Sequence, residues 1–148
     1  MITNIDIFNP EQKPTEENIQ LYVDFLYTHL DEFGDTKSAI RKAIDFSLKN
    51  YESFGGFLLV AHTDNVLSCV VVVNRTGMQE YIPENILVYI ATHKDFRGKG
   101  IGKQLMLKAI ETAEGNVALH VEANNPARFL YQKVGFTNPY LEMRCIKN

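Results

Sequence analysis

Seven consecutive residues, Arg97-Gly98-Lys99-Gly100-Ile101-Gly102-Lys103, combine three alternating glycines with three cationic side chains. They follow a β-branched apolar run, Ile86–Thr92, and lead into a run of helix formers, Lys103–Ile110. A strand that enters a helix through a glycine turn gathers main-chain N–H groups with no helical partner and a partial positive charge. Those groups suit an anion, a pyrophosphate above all, and glycine lets the backbone approach it in dihedrals closed to other residues. The chemistry on offer is phosphate binding. Spacing excludes two other phosphate loops. The P-loop needs a second glycine five residues after the first, then Lys-Ser/Thr; counted from Gly98, that glycine falls on Lys103. The Gly-x-Gly-x-x-Gly dinucleotide fingerprint, counted from Gly98, also needs its last glycine at Lys103.

A second run carries chemistry: Asn124-Asn125-Pro126-Ala127-Arg128-Phe129-Leu130-Tyr131, continuing to Gly135-Phe136. Asn124 suits a helix N-cap, Pro126 a first turn and Gly135 a C-cap, while Phe129, Leu130 and Val134 can share a buried face. The pattern Arg97-x-x-Gly100-x-Gly102, followed by Asn124-x-x-Ala127-x-x-x-Tyr131-x-x-x-Gly135-Phe136, closely resembles the signatures of the GNAT superfamily of N-acetyltransferases. The resemblance covers roughly Ile86 to Phe136, about a third of the chain.

The resemblance implies an α/β (α+β) fold: a mixed, mostly antiparallel sheet of six to seven strands, about four flanking helices, and a splay between the fourth and fifth strands. It implies acetyl-CoA as co-substrate and direct acetyl transfer to a primary amine of a small molecule or peptide in a ternary complex. Arg97, Gly98, Lys99, Gly100, Ile101, Gly102 and Lys103 would hold the pyrophosphate. Ile90, Ala91 and Thr92 would pair with the pantetheine arm, helped by Asn124, and an N–H near Ile90 would polarise the thioester carbonyl. Tyr131 would act as acid toward the departing thiolate; its plain alternative is a core tyrosine. Glu80, Glu84, His120, Glu122 or a water relay could deprotonate the amine. The chain departs from the family pattern at Thr92 and Lys94, where members often carry an apolar β-branched residue and a proline. A different reading is a non-catalytic acyl-CoA-binding or sensing module on the same fold. Homodimerisation is compatible with that fold.

The elements that must position these residues are legible in outline. Residues 2–8 alternate as a half-buried strand. Pro10 and Pro14 break the chain, and Thr15 caps a helix that Gly34 closes. Asp35 to about Asn50 reads as a second helix. Strands follow at 57–62 and 66–74, joined by an Asp64-Asn65 turn, then 86–92. A helix at 100–114, a strand at 117–122, a short helix at 126–134 and a final strand, Leu141–Ile146, complete the order. Tyr22, Tyr27, Phe33, Tyr81 and Tyr140 either pack or line an acceptor pocket.

The chain of 148 residues, 45% hydrophobic and 22% charged, suits one domain, residues 1–148. A net charge of −3 gives no footprint for nucleic acid. Cys69 and Cys145 read as reduced, packed thiols, and no spacing implies a metal site. His29, His62 and His93 read as isolated surface or helix-face residues. No signal segment or apolar span points to a membrane, so a cytoplasmic location is expected.

Overall fold

The computed structural model describes residues 1–147. Its centre is a five-stranded sheet in sequence order: β1 (Thr3–Phe8), β2 (Gly56–Thr63), β3 (Val66–Arg75), β4 (Asn85–Thr92) and β5 (Val117–Leu119). The first four strands run antiparallel; β5 joins β4 in parallel. Asp64 and Asn65 both adopt positive φ (50° and 68°), the geometry of a tight hairpin turn, as their identities predict. Helices α1 (Glu16–Leu30) and α2 (Lys37–Leu48) cover one face; α3 (Ile101–Thr112) and α4 (Arg128–Lys133) cover the other.

Two apolar layers hold these helices. Ile19, Tyr22, Val23, Leu26, Ile40 and Ile44 pack on Leu58, Val60, Val70 and Val72. Ile101, Leu105, Met106 and Tyr131 pack on Leu59, Val71, Val73 and Leu87. Successive β2 and β3 side chains therefore alternate between layers, and both faces read as apolar. Thr15 and Thr36 cap α1 and α2 through their hydroxyls, which accept from Asn18 N–H and Ala39 N–H.

Four expectations need correction. The sheet has five strands rather than six or seven. Residues 141–146 form no strand, and Leu141, Met143 and Ile146 are exposed. Their alternation describes the two faces a strand would have, but it brings no neighbouring edge into reach. The strand expected at 117–122 stops at Leu119, whose partner Leu87 is followed at once by the β4 irregularity at Val88, where the parallel ladder loses its register although β4 itself continues to Thr92. Asn124 does not cap α4, which starts after Ala127 with no side-chain cap; Asn125 instead closes the turn leading into it, its Oδ1 accepting from Ala127 N–H at 2.9 Å. Of the cysteines, Cys69 is buried and Cys145 exposed, and both are free thiols.

Candidate active site

The site starts at β4. On one side β4 pairs with β3 all the way to Thr92; on the other it pairs with β5 only through Leu87. From Val88 to Thr92 one edge faces no strand, which is the expected splay. The direction of its polar groups is set by one hydrogen bond. His93 N–H donates to Ser68 O on the β3 side at 2.8 Å. Main-chain groups alternate along a strand, so the N–H groups of Ile90 and Thr92 point to the open edge. The Thr92 carbonyl agrees, accepting from Arg97 Nε on that edge at 3.3 Å.

A register shift opposite Val72 and Val73 leaves Val88 as an extra residue in β4. This bulge reverses the facing of the remaining β4 residues: Leu87 packs in the α3 layer, while Tyr89 and Ala91 pack in the α1–α2 layer.

After β4 comes a single 3-10 turn, Lys94–Phe96, formed without the family's proline. His93 closes it, Nδ1 accepting from Asp95 N–H at 3.0 Å. Gly98 and Gly100 then take φ of +77° and +81°, and a Cβ on either would meet nothing within 4 Å. They turn the chain into α3 and leave an open cradle. Gly100 is the N-cap of α3 and supplies no side-chain cap. Among the described residues, the N–H groups of residues 98 to 103 make no hydrogen bond within the protein. Gly102 serves close packing: a Cβ there would lie 3.3 Å from Thr92 Oγ1 and 3.5 Å from Leu130 Cδ2. That contact sets α4 beside the start of α3.

Lys99 and Lys103 are exposed at the cradle. The Arg97 side chain is engaged elsewhere: besides Thr92 O, it donates to His29 O at the end of α1, at 2.7 Å. Its guanidinium fastens α1 to the cradle turn. Asn124 is exposed beyond the end of β5.

Tyr131 is buried to 9% exposure, edge-on to Phe136 at 6.2 Å between centroids. Its hydroxyl makes no hydrogen bond, yet no buried side-chain oxygen or nitrogen among the described residues lacks a partner. The hydroxyl is therefore not sealed in the core. Burial, with a lesser contribution from Cys69, pushes its pKa to about 12. Burial likewise pushes the Cys69 thiol to about 12, against a hydrogen bond from Thr92 that lowers it.

Both groups favour the neutral form in the folded protein. With folded pKa values raised, their stabilisation is complete below the unfolded values of 9.0 and 10.0 and is lost as pH climbs toward 12. Each pKa unit is worth about 1.4 kcal/mol. Urea denaturation followed by circular dichroism should show constant stability from pH 7 to 8 and a loss of several kcal/mol by pH 11. A flat profile to pH 11 would contradict the buried-thiol and buried-phenol assignment.

The carboxylate candidates separate by position. Glu84 precedes β4, at the end remote from the cradle, roughly 20 Å from Ile90 at ~3.3 Å per residue. Its Oε1 accepts from Asn116 N–H at 2.7 Å and its Oε2 from Glu80 N–H at 3.3 Å. The Asn116 bond, before the Glu80 bond, holds its pKa below the ordinary carboxylate value. Glu84 is thus a clasp on the α3–β5 turn, and Glu80 lies in the same loop. His120 and Glu122 are exposed beyond β5, on the cradle side of the splay.

On the α1–α2 side a depression of about 640 Å³ is lined by Tyr27, Thr28, Asp31, Gly34, Asp35 and Thr36. Asp35 reaches β4 directly, its Oδ2 accepting from the Tyr89 hydroxyl at 2.6 Å. Sequence patterning missed this pair, because the residues lie 54 positions apart. A second depression, about 570 Å³, holds Tyr81 and Phe54 at the opposite end of the sheet. Tyr22 is core, and Tyr140 is exposed. No group of three or more His, Cys, Asp or Glu among the described residues could hold a metal, and no helix among them is long and apolar enough to cross a membrane.

With this geometry, comparison with known proteins identifies the class. Residues 53–138, more than half of the chain, match the family model of the acetyltransferase (GNAT) domain. The chain belongs to the GNAT acetyltransferase family. Over 54 residues it is 41% identical to cysteine-rich protein 2-binding protein of Mus musculus and to that of Homo sapiens. The match covers 36% of this chain and only 7% of those curated relatives. Among solved structures, a transcriptional regulator from Bacillus halodurans C-125 aligns with TM-score 0.68 at 20% identity, covering 97% of this chain and 100% of that one. A ribosomal-protein-alanine N-acetyltransferase from Brucella melitensis biovar Abortus 2308 gives 0.65 at 17%, covering 99% and 100%. A chain of the NatC complex bound to Gag peptide and CoA gives 0.69 at 18%, covering 93% and 86%. At these identities the likeness is one of fold.

Proposed function

We propose that this chain transfers the acetyl group of acetyl-CoA to a primary amine of a small molecule or peptide. One observation carries the reading: an unpaired β4 edge, Val88–Thr92, runs directly into a turn whose N–H groups, from 98 to 103, lack partners. The cradle fits the co-substrate. Its amides are free, two glycines leave it open where a Cβ would intrude, and Lys99 and Lys103 supply charge.

When bound, acetyl-CoA supplies an activated acyl group as a thioester. Residues 98–103 would hold the pyrophosphate, and the polar groups of Ile90 and Thr92 would pair with the pantetheine amides as an added strand would. The Ile90 N–H would donate to the thioester carbonyl oxygen, where negative charge develops as the amine attacks. Tyr131 would donate a hydrogen bond to the sulfur. A free thiol titrates near 8.5, so full proton transfer from a phenol at about 12 is uphill by roughly 5 kcal/mol. Tyr131 therefore acts by hydrogen-bond donation rather than as a complete acid.

The acceptor would approach from the α1–α2 side, past Asp35. The amine must arrive or become neutral before it attacks; exposed His120 and Glu122, or water, stand nearer the splay than Glu80 and Glu84 do. One structural neighbour is a complex bound to a peptide and CoA and another is named a ribosomal-protein-alanine N-acetyltransferase, so peptides belong in the screen beside small amines. The test is incubation with acetyl-CoA and a panel of amines and peptides, read by mass spectrometry. An acceptor gaining one acetyl group, with CoA released, supports the proposal. CoA binding by calorimetry without thioester cleavage across the panel would leave a binding module instead, and no CoA binding would end both readings.

A further inference from the structure

The cradle turn is braced by a pair of histidines that lie 64 positions apart in sequence. The His29 ring, at the end of α1, and the His93 ring, just after β4, lie 4.4 Å apart between centroids, inclined at 37°. Phe25 flanks His29 at 4.5 Å, and Phe96 meets His93 edge-on at 5.6 Å. Both histidines accept main-chain hydrogen bonds from the same turn: His29 Nδ1 from Lys94 N–H at 3.4 Å, and His93 Nδ1 from Asp95 N–H at 3.0 Å. An imidazole whose Nδ1 accepts must, when neutral, carry its proton on Nε2. The same joint is completed by Arg97, which donates to His29 O and Thr92 O.

We propose that His29 and His93 are positioning residues for the cofactor loop, holding the 93–97 turn against α1 through stacked rings whose Nδ1 atoms accept from Lys94 N–H and Asp95 N–H. Protonation of His29 puts a hydrogen on its Nδ1, so an acceptor becomes a donor facing the Lys94 N–H, and the turn loses that brace. The charged surroundings oppose the added charge. Facing the pair are Lys94 and Arg97 from the turn, with Lys99 beside it over the Phe96 ring at 5.5 Å. The acids are Asp31, already paired with Lys94 at 3.4 Å, and Asp95, 3.9 Å from His93 Nδ1 but 86% exposed and so screened by water. Burial first, then His93, Arg97 and Lys94, hold the His29 pKa below its ordinary value, with Asp31 opposing. A group with a lowered folded pKa contributes stability that is present above 6.5 and is lost as pH falls through the folded value. Gly98 begins immediately after this turn, so the cradle inherits its order.

The inference rests on the proposed binding of CoA at the cradle. The probe is 3′-dephospho-CoA, because the 3′-phosphate of CoA would itself titrate near pH 6, whereas the pyrophosphate stays ionised. Calorimetry should show its dissociation constant rising at least fivefold between pH 7.5 and the lowest pH at which the native protein stays folded. In the His29→Asn/His93→Asn protein, whose amide oxygens still accept but do not titrate, the constant should vary less than twofold. In the His29→Ala/His93→Ala protein, which has no acceptor, binding should be weak at both pH values. A native affinity that is unchanged or improved on acidification overturns the proposal, as does an equal loss in the Asn variant. A second readout needs no variant and no ligand: ring nitrogen shifts of the native protein at pH 7.5 should report Nε2–H tautomers for both histidines. Nδ1–H tautomers would overturn the proposal even if the variants fail to fold. Absence of all binding at pH 7.5 would strike the cofactor assignment instead, leaving the tautomers as the test of the brace.

Discussion

Gly100→Val should weaken CoA binding by 10²-fold or more while the protein remains folded. The residue is exposed, has φ +81°, and a Cβ there meets nothing within 4 Å, so the new Cβ meets no protein atom. Its first cost is conformational, about 1–2 kcal/mol for a non-glycine residue in the left-handed region, with a β-branched residue at the high end. The second cost falls on the ligand. The added methyls would crowd the turn that carries the amides of residues 98 to 103, where the proposed hydrogen bonds to a charged pyrophosphate would be worth about 1.5–3 kcal/mol each. Losing two of them already exceeds 10²-fold in affinity. Calorimetry with CoA, paired with a thermal melt, separates the two costs. Undiminished CoA binding by a folded Gly100→Val protein would show that the anion binds elsewhere and that the glycine turn only caps α3.

Tyr131→Phe should lower kcat by about 10²-fold with little change in CoA affinity. The ring sits in the α3 layer and makes its contacts through carbon, so phenylalanine keeps the packing. What disappears is one donor. A hydrogen bond made only as charge develops on the sulfur lowers the barrier without strengthening ground-state binding, and removal of one such donor typically costs 10²–10³ in rate. The raised phenol pKa adds a second expectation. Tyr131 stays protonated through neutral and moderately alkaline pH, so any alkaline fall in rate below pH 10 should persist in the Phe protein. Steady-state kinetics with an acceptor from the panel gives both quantities. Equal kcat in the two proteins would reduce Tyr131 to a packing residue.

The two predictions probe the glycine turn before α3 and the tyrosine of α4, and the parts of this site are unequally legible in the sequence. The glycine spacing and the Asn124-to-Phe136 signature are local, and they point to the glycine turn and to Tyr131 without any knowledge of the fold. Helix caps at Thr15 and Thr36 and the Asp64-Asn65 turn are local too, since each is satisfied by groups within three residues. Arg97 shows where local reading stops. Its charge counts toward a phosphate loop in sequence, but two of its donors are directed to carbonyls at positions 92 and 29. Glu84 shows the same limit: a carboxylate near the cofactor strand reads as a base, while one of its oxygens accepts from Asn116 N–H on the distant α3–β5 turn and the other from Glu80 N–H in its own loop.

The amino-acid order alone determined what is carried within a few residues: the glycine turn, the caps, the apolar periods of each helix and strand, and the motif spacing that marks the family. The tertiary structure decided what depends on pairing across long separations. Whether Leu141–Ile146 finds an edge, how far β5 accompanies β4, which way the Val88 bulge turns Tyr89 and whether His29 meets His93 are set by strand register and helix docking. The reason is physical. A residue's type limits its own dihedrals and hydrogen-bonding capacity, whereas its partner is chosen by burial summed over the whole sheet and both helical layers.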